Sequence, residues 1–130
     1  ILAMFSALRL AKFNIDIRQS DSFIGVPTPA NAMVVASVPF LLLEVNWVSD
    51  LIKNPWVFVV YSLVFSYLLI MELPLMAFKF KNFKWADNKI KFIFTIISVF
   101  LLLIFKIAAI PIIIFLYILI SILNNINKKA

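Results

Sequence analysis

The chain has 130 residues, of which 65% are apolar and 14% charged, with 12 Lys and Arg against 6 Asp and Glu for a net charge of +6. A soluble domain of this size needs more charge to cover its surface and cannot hide long apolar runs, so this composition, with a mean hydropathy of +1.09, excludes an ordinary soluble domain and points to the bilayer as solvent. The absence of Cys and His removes disulfides, thiolate nucleophiles, imidazole bases and the usual zinc ligands from the possible chemistry.

In chain order, Ile1 to Leu10 reads as the cytoplasmic end of a hydrophobic helix rather than as a signal peptide, and Ile1 as an excision or truncation point. After a short connection from Ile15 to Ser22, Pro27-Thr28-Pro29 opens a spanning helix over about residues 29–46, with Thr28 as its cap and Pro29 in its first turn. Pro39 is expected to kink or interrupt that helix, and Glu44 falls in its last turn. Asn54 caps a second span starting at Pro55, over about residues 55–76, with Glu72 and Pro74 near its far end.

The apolar stretch from Phe92 to Leu123 would be roughly 50 Å long as one helix, against a bilayer core of about 30 Å. Lys106 and Pro111 lie near its middle. A tight helical hairpin follows, with spans over about residues 88–105 and 108–125, Lys106 snorkelling to the interface and Pro111 in the first turn of the last helix.

The fold class expected is therefore all-α: a polytopic transmembrane helical bundle made of the end of one helix plus about four spans, forming a single domain over residues 1–130. Basic residues alternate accordingly. Arg9, Lys12 and Arg18 mark one side; Glu44, Asp50 and Lys53 the other; Lys79, Lys81, Lys84, Lys89 and Lys91 the first again, where Lys128 and Lys129 also close the chain. That places both basic connections and the C-terminus in the cytoplasm. Trp47 and Trp56 flank the external loop as interfacial belt residues.

The six acidic residues, Asp16, Asp21, Glu44, Asp50, Glu72 and Asp87, are scattered, with no pair at helical spacing. Arg9 and Lys12 are three apart on a helix end and can point the same way. They read either as positive-inside anchors or as a phosphate clamp, with Arg offering a bidentate fork and Lys a point charge. Gly25 to Pro29 likewise reads either as a plain helix start or as a turn whose amides, with the Thr28 hydroxyl, suit an anion. The mixed aromatic and basic run from Phe78 to Trp85 suits contact with anionic lipid headgroups, between two spans, better than contact with nucleic acid.

The stretch Ala7-Leu8-Arg9-Leu10-Ala11-Lys12-Phe13-Asn14, followed by Phe23-Ile24-Gly25-Val26-Pro27-Thr28-Pro29-Ala30-Asn31-Ala32, resembles bacterial phosphatidylserine synthases, which typically read ALRLARFN and then F-x-G-L-P-[ST]-P-A-x-A. The resemblance is strong over residues 7 to about 32; beyond them it lies in helix number and order and in the basic loop. Lys12 stands where the family usually has Arg, and Val26 where it commonly has Leu. These synthases belong to the CDP-alcohol phosphatidyltransferases, all-helical membrane enzymes.

The resemblance implies transfer of a phosphatidyl group from CDP-diacylglycerol to L-serine with release of CMP, in the bacterial inner (cytoplasmic) membrane, with anionic lipids around it and a homodimer as the assembly. It also implies a divalent metal, Mg or Mn, bound by aspartates of the motif D-x-x-D-G-x-x-A-R followed by G-x-x-x-D-x-x-x-D. Nothing in these residues matches that motif, so catalytic and metal residues are expected upstream of Ile1 and the isolated chain is expected to be inactive. The substrate-binding residues implied are Arg9, Lys12, Asn14, Gly25, Pro27 and Thr28, lining a cytoplasm-facing cavity, with Asn14 fixing the turn. The alternatives are a sibling enzyme using glycerol phosphate or inositol phosphate, and a non-catalytic membrane subunit or transporter fragment.

Overall fold

The computed structural model describes residues 1–17, 22–78 and 82–129. Arg18, Asp21, Lys79, Phe80 and Lys81, to which the charge pattern, the acidic inventory and the aromatic-basic run referred, lie outside the described residues. The order of elements is α1 (Leu2–Ile15), β1 (Ser22–Ile24), α2 (Thr28–Glu44), α3 (Asn46–Ile52), α4 (Pro55–Ile70), β2 (Pro74–Met76), α5 (Trp85–Phe105), a 3-10 turn (Lys106–Ala108) and α6 (Ala109–Lys129). The chain is mostly helical, as its composition implies, with one addition: β1 and β2 pair antiparallel, Ser22 opposite Met76, Phe23 opposite Leu75 and Ile24 opposite Pro74.

Helix boundaries follow local chemistry. α1 is rich in Ala and Leu, strong helix formers, and stops where Asp16 turns extended (φ −91°, ψ 106°) while its N–H still reaches Lys12 O. Pro27, not Thr28, holds the N-cap of α2; Thr28 and Pro29 are already helical and no side chain caps the end, which corrects the role expected for Thr28. α2 continues through Pro39 without a break, so the interruption expected there is absent. At α4 the Asn54 side chain accepts from Trp56 N at 3.1 Å, the cap read from the Asn-Pro pair.

Two of the expected spans are shorter than the pattern suggested. α2 ends at Glu44, and the separate α3 follows, bent 85° from α4. α4 ends at Ile70 rather than near Met76, because Pro74 pushes the residues before it toward extended backbone and the chain there joins the ribbon. At 17 and 16 residues, α2 and α4 fall below the roughly 20 residues that cross a hydrocarbon core. Among the described residues, Trp85–Lys128 is the one stretch long and apolar enough to cross a membrane, and the bent pair α3 and α4 would be a second if taken as one unit.

That long stretch is folded back on itself. Lys106 adopts φ 51°, ψ −128°, which ends α5, and the Phe94 and Tyr117 rings on the two legs stand 6.1 Å apart. Each leg has 21 residues, about 32 Å at 1.5 Å per residue.

Packing is concentrated where helices meet the ribbon. Val26, Val34, Leu75, Met76, Phe94, Ile114, Tyr117 and Ile118 form the buried apolar cluster, drawing on α2, β2, α5 and α6. α6 grips β2 at one residue: Tyr117 Oη donates to Met76 O at 2.8 Å, and Ser121 Oγ, one turn on, accepts from Met76 N at 3.2 Å. Both backbone groups on the strand's outer side are thereby satisfied out of water. α4 is tied to α2 by Tyr61 Oη donating to the buried Asn31 Oδ1 at 2.6 Å, and to α6 by the edge-on Phe65 and Phe115 rings. Large apolar side chains such as Leu43, Leu103 and Phe100 stay exposed on the outer faces.

Candidate functional site

The ribbon draws the end of α1 and the segment after α4 to one end of the bundle. There Arg9, Lys12 and Asp16 of α1 and its cap line a small pocket with Ile24, Leu69, Ile70 and Glu72. α1 lies along α4, which turns the Arg9 face inward and leaves Lys12 at the mouth. The helical spacing of three residues thus brings both cations to one pocket, as expected of a pair on one face.

Their environments differ. The Arg9 side chain is half-buried, and its Nε is fully shielded from solvent with no hydrogen-bond partner among the described residues. A guanidinium donor buried without an acceptor is costly. Lys12 Nζ lies 3.6 Å from Glu72 Oε1, the two side chains 53% and 64% exposed. An ion pair this open to solvent contributes at most about 1 kcal/mol, so Glu72 is readily exchanged for another anion.

The turn at Gly25 has a structural role that can be read atom by atom. Gly25 has φ +75°, and a Cβ on it would stand 2.4 Å from Leu69 O and 3.1 Å from Met71 O. Its N–H donates to Leu73 O at 3.0 Å, and the Val26 N–H to Leu68 O at 2.9 Å. The turn therefore docks on Leu68 O in the last turn of α4, which would otherwise be orphaned, and on Leu73 O in the segment that follows. Pro27 and Pro29 carry no N–H, and the Gly25 and Val26 amides are engaged, so an amide nest for an anion does not form here. Pro27 and Thr28 are not among the pocket-lining residues, and the Thr28 hydroxyl has no partner among the described residues. Asn14 is exposed and bonds to nothing described, so α4, not Asn14, fixes the turn.

Sequence reasoning did not assign Glu72 and Asp16 to this pocket: Glu72 reaches it only through the β1–β2 pairing, whereas Asp16, the C-cap of α1, follows Lys12 by four residues on the same helix end, a local spacing that could have found it. The other carboxylates lie elsewhere: Asp50 on Lys53 at 2.9 Å, Asp87 accepting from Asn82 Nδ2 at 2.9 Å, and Glu44 exposed at the end of α2. Among the described residues no group of three His, Cys, Asp or Glu side chains could hold a metal ion. Two carboxylates, one of them on a lysine, are a poor donor set for Mg or Mn.

A mostly helical, strongly apolar chain with a cationic pocket at one end of its helices is a scaffold suited to an anionic, membrane-borne ligand. Over 107 residues it is 29% identical to the CDP-diacylglycerol–serine O-phosphatidyltransferase of Helicobacter pylori, an alignment covering 81% of this chain and 42% of that protein. The chain thus spans less than half the length of that relative. No family model and no solved structure matches it. The likeness supports a phosphatidyltransferase relationship and, with it, a role in phospholipid synthesis.

Proposed function

We propose that this chain is part of a membrane-embedded phosphatidyltransferase that makes phosphatidylserine, with the Arg9 and Lys12 pocket holding an anionic group of a substrate. The observation that carries this reading is the convergence of the two cations of Ala7–Asn14 with Ile24, at the head of the Gly25 turn, in one pocket. Arg9 supplies a buried donor in search of an acceptor, and Lys12 supplies field at the rim. In this reading Gly25 sets the turn that carries Ile24 to the pocket, and Asn14, Pro27 and Thr28, which do not line it, take part in substrate binding from outside it.

In this reading the serine hydroxyl oxygen bonds to the phosphatidyl phosphorus of CDP-diacylglycerol as the P–O bond to the cytidylate breaks. CMP leaves with that electron pair, and the hydroxyl proton passes to a carboxylate base contributed from outside these residues. Arg9 and Lys12 offset the charge of the phosphate or the serine carboxylate and position it. The protein is integral to the bacterial inner membrane, the α5–α6 hairpin being its best-formed crossing and the pocket facing the cytoplasm.

Translating the coding DNA immediately upstream of Ile1 tests the assignment. The expected result is an in-frame D-x-x-D-G-x-x-A-R with its downstream aspartates; a start codon with no such motif would overturn it.

A further inference from the structure

We propose that a second, larger cleft at the same end of the bundle is a binding site for a phosphate-bearing headgroup, separate from the Arg9 pocket and independent of the reaction assigned above. The cleft has a volume of about 700 Å³ and lies between β2, the first turns of α5 and the last turns of α6, a size that suits a small polar ligand. The ribbon separates it from the Arg9 pocket, since Glu72 and Ile24 line one and Pro74 to Ala77 the other.

Its walls are unusually polar for so apolar a chain. Lys89 and Lys91 enter from α5, and Asn124, Asn125 and Lys128 from α6. Lys89 and Lys128 have no carboxylate partner among the described residues, and the Asn124 and Asn125 amides make no hydrogen bond among them. The single acidic residue in the lining, Asp87, is held by Asn82 Nδ2 at 2.9 Å. The cleft therefore presents a surplus of positive charge together with unused amide donors, a combination that matches phosphate oxygens.

The framework is built rather than incidental. Asn88 is buried and leaves helical geometry (φ −121°, ψ 16°), its Nδ2 donating to Asn82 O at 2.7 Å and Lys84 O at 3.2 Å. That clamp fixes the α5 start against the chain before it. Opposite, Ser121 is tied to Met76. Both cationic walls thus stand on fixed backbone.

The test uses the full-length protein purified in detergent, with native mass spectrometry counting retained phosphatidylglycerol against phosphatidylcholine. Retention of the anionic lipid should exceed that of the zwitterionic one, and the pair Lys89→Gln and Lys128→Gln should lower it about tenfold or more, while Lys53→Gln at the opposite end leaves it unchanged. Photoactivatable phosphatidylglycerol on the wild-type protein should cross-link to peptides covering residues 86–91 and 121–128, a readout that does not depend on the variants folding. Displacement by millimolar inorganic phosphate would identify free phosphate as a ligand too, and its failure would restrict the site to lipid headgroups. Equal retention of both lipids with no effect of phosphate, or cross-links confined to other regions, would overturn the proposal.

Discussion

The Lys12 ammonium lies 3.6 Å from the Glu72 carboxylate, joining the last turn of α1 to the segment that follows α4. Both side chains are largely exposed, so the pair is an exchangeable cover on the cation rather than a structural rivet. Glu72→Gln should free Lys12 and tighten CDP binding by the full-length protein about two- to fivefold at low salt, with the gain fading near about 0.5 M salt. Isothermal titration at two salt concentrations reads both effects; unchanged affinity at low salt would remove Lys12 from the ligand site.

Gly25 is the chain's single glycine, and its position leaves no room for another residue. Gly25→Ala places a methyl against Leu69 O and forces an L residue into a left-handed backbone. The two costs together should exceed about 2 kcal/mol. Thermal unfolding in detergent, followed by circular dichroism, should show a clear drop in midpoint, whereas Ala36→Gly on the exposed face of α2 should cost only about 1 kcal/mol.

Capping separates two helix starts that look alike in sequence. Asn54 caps α4 through its side chain and Thr28 caps nothing, so Asn54→Ala should cost about 1 kcal/mol and Thr28→Ala much less. Equal losses in the same melting experiment would mean that Thr28 does contribute a cap.

Tyr117 and Ser121 hold the two backbone groups of Met76. Tyr117→Phe keeps the ring against Phe94 and Phe78 but leaves Met76 O unsatisfied, at a cost of about 1–2 kcal/mol. Because both bonds act on one residue, the double variant with Ser121→Ala should fall short of the sum of the singles in a double-mutant cycle, once the strand has already been released.

Much of this architecture was legible from local signals. Asn54-Pro55 announced a helix start, and the mid-run Lys106 and Pro111 announced the α5–α6 hairpin, because caps, prolines and charges act within a turn or two of where they sit. The early end of α4 and the ribbon were not legible: Pro74 carries a local hint, but the pairing of Phe23 with Leu75 depends on residues far apart in sequence. The candidate site divides the same way. Arg9 and Lys12 are visible as an i, i+3 pair and Asp16 extends the same helix end, whereas Glu72 joins them only through that long-range pairing. Gly25 stood out as a single glycine, yet its reason, the approach of the α4 carbonyls, lies outside any local window.

The most direct test is serine-dependent CMP release from CDP-diacylglycerol by membranes carrying the full-length protein, compared with its Arg9→Ala variant at equal expression. The account predicts CMP release that requires serine and a loss in kcat/KM of about tenfold or more in the variant, since a buried charge-assisted contact is removed. Wild-type membranes that release no CMP with serine, or an Arg9→Ala variant with undiminished activity, would contradict it.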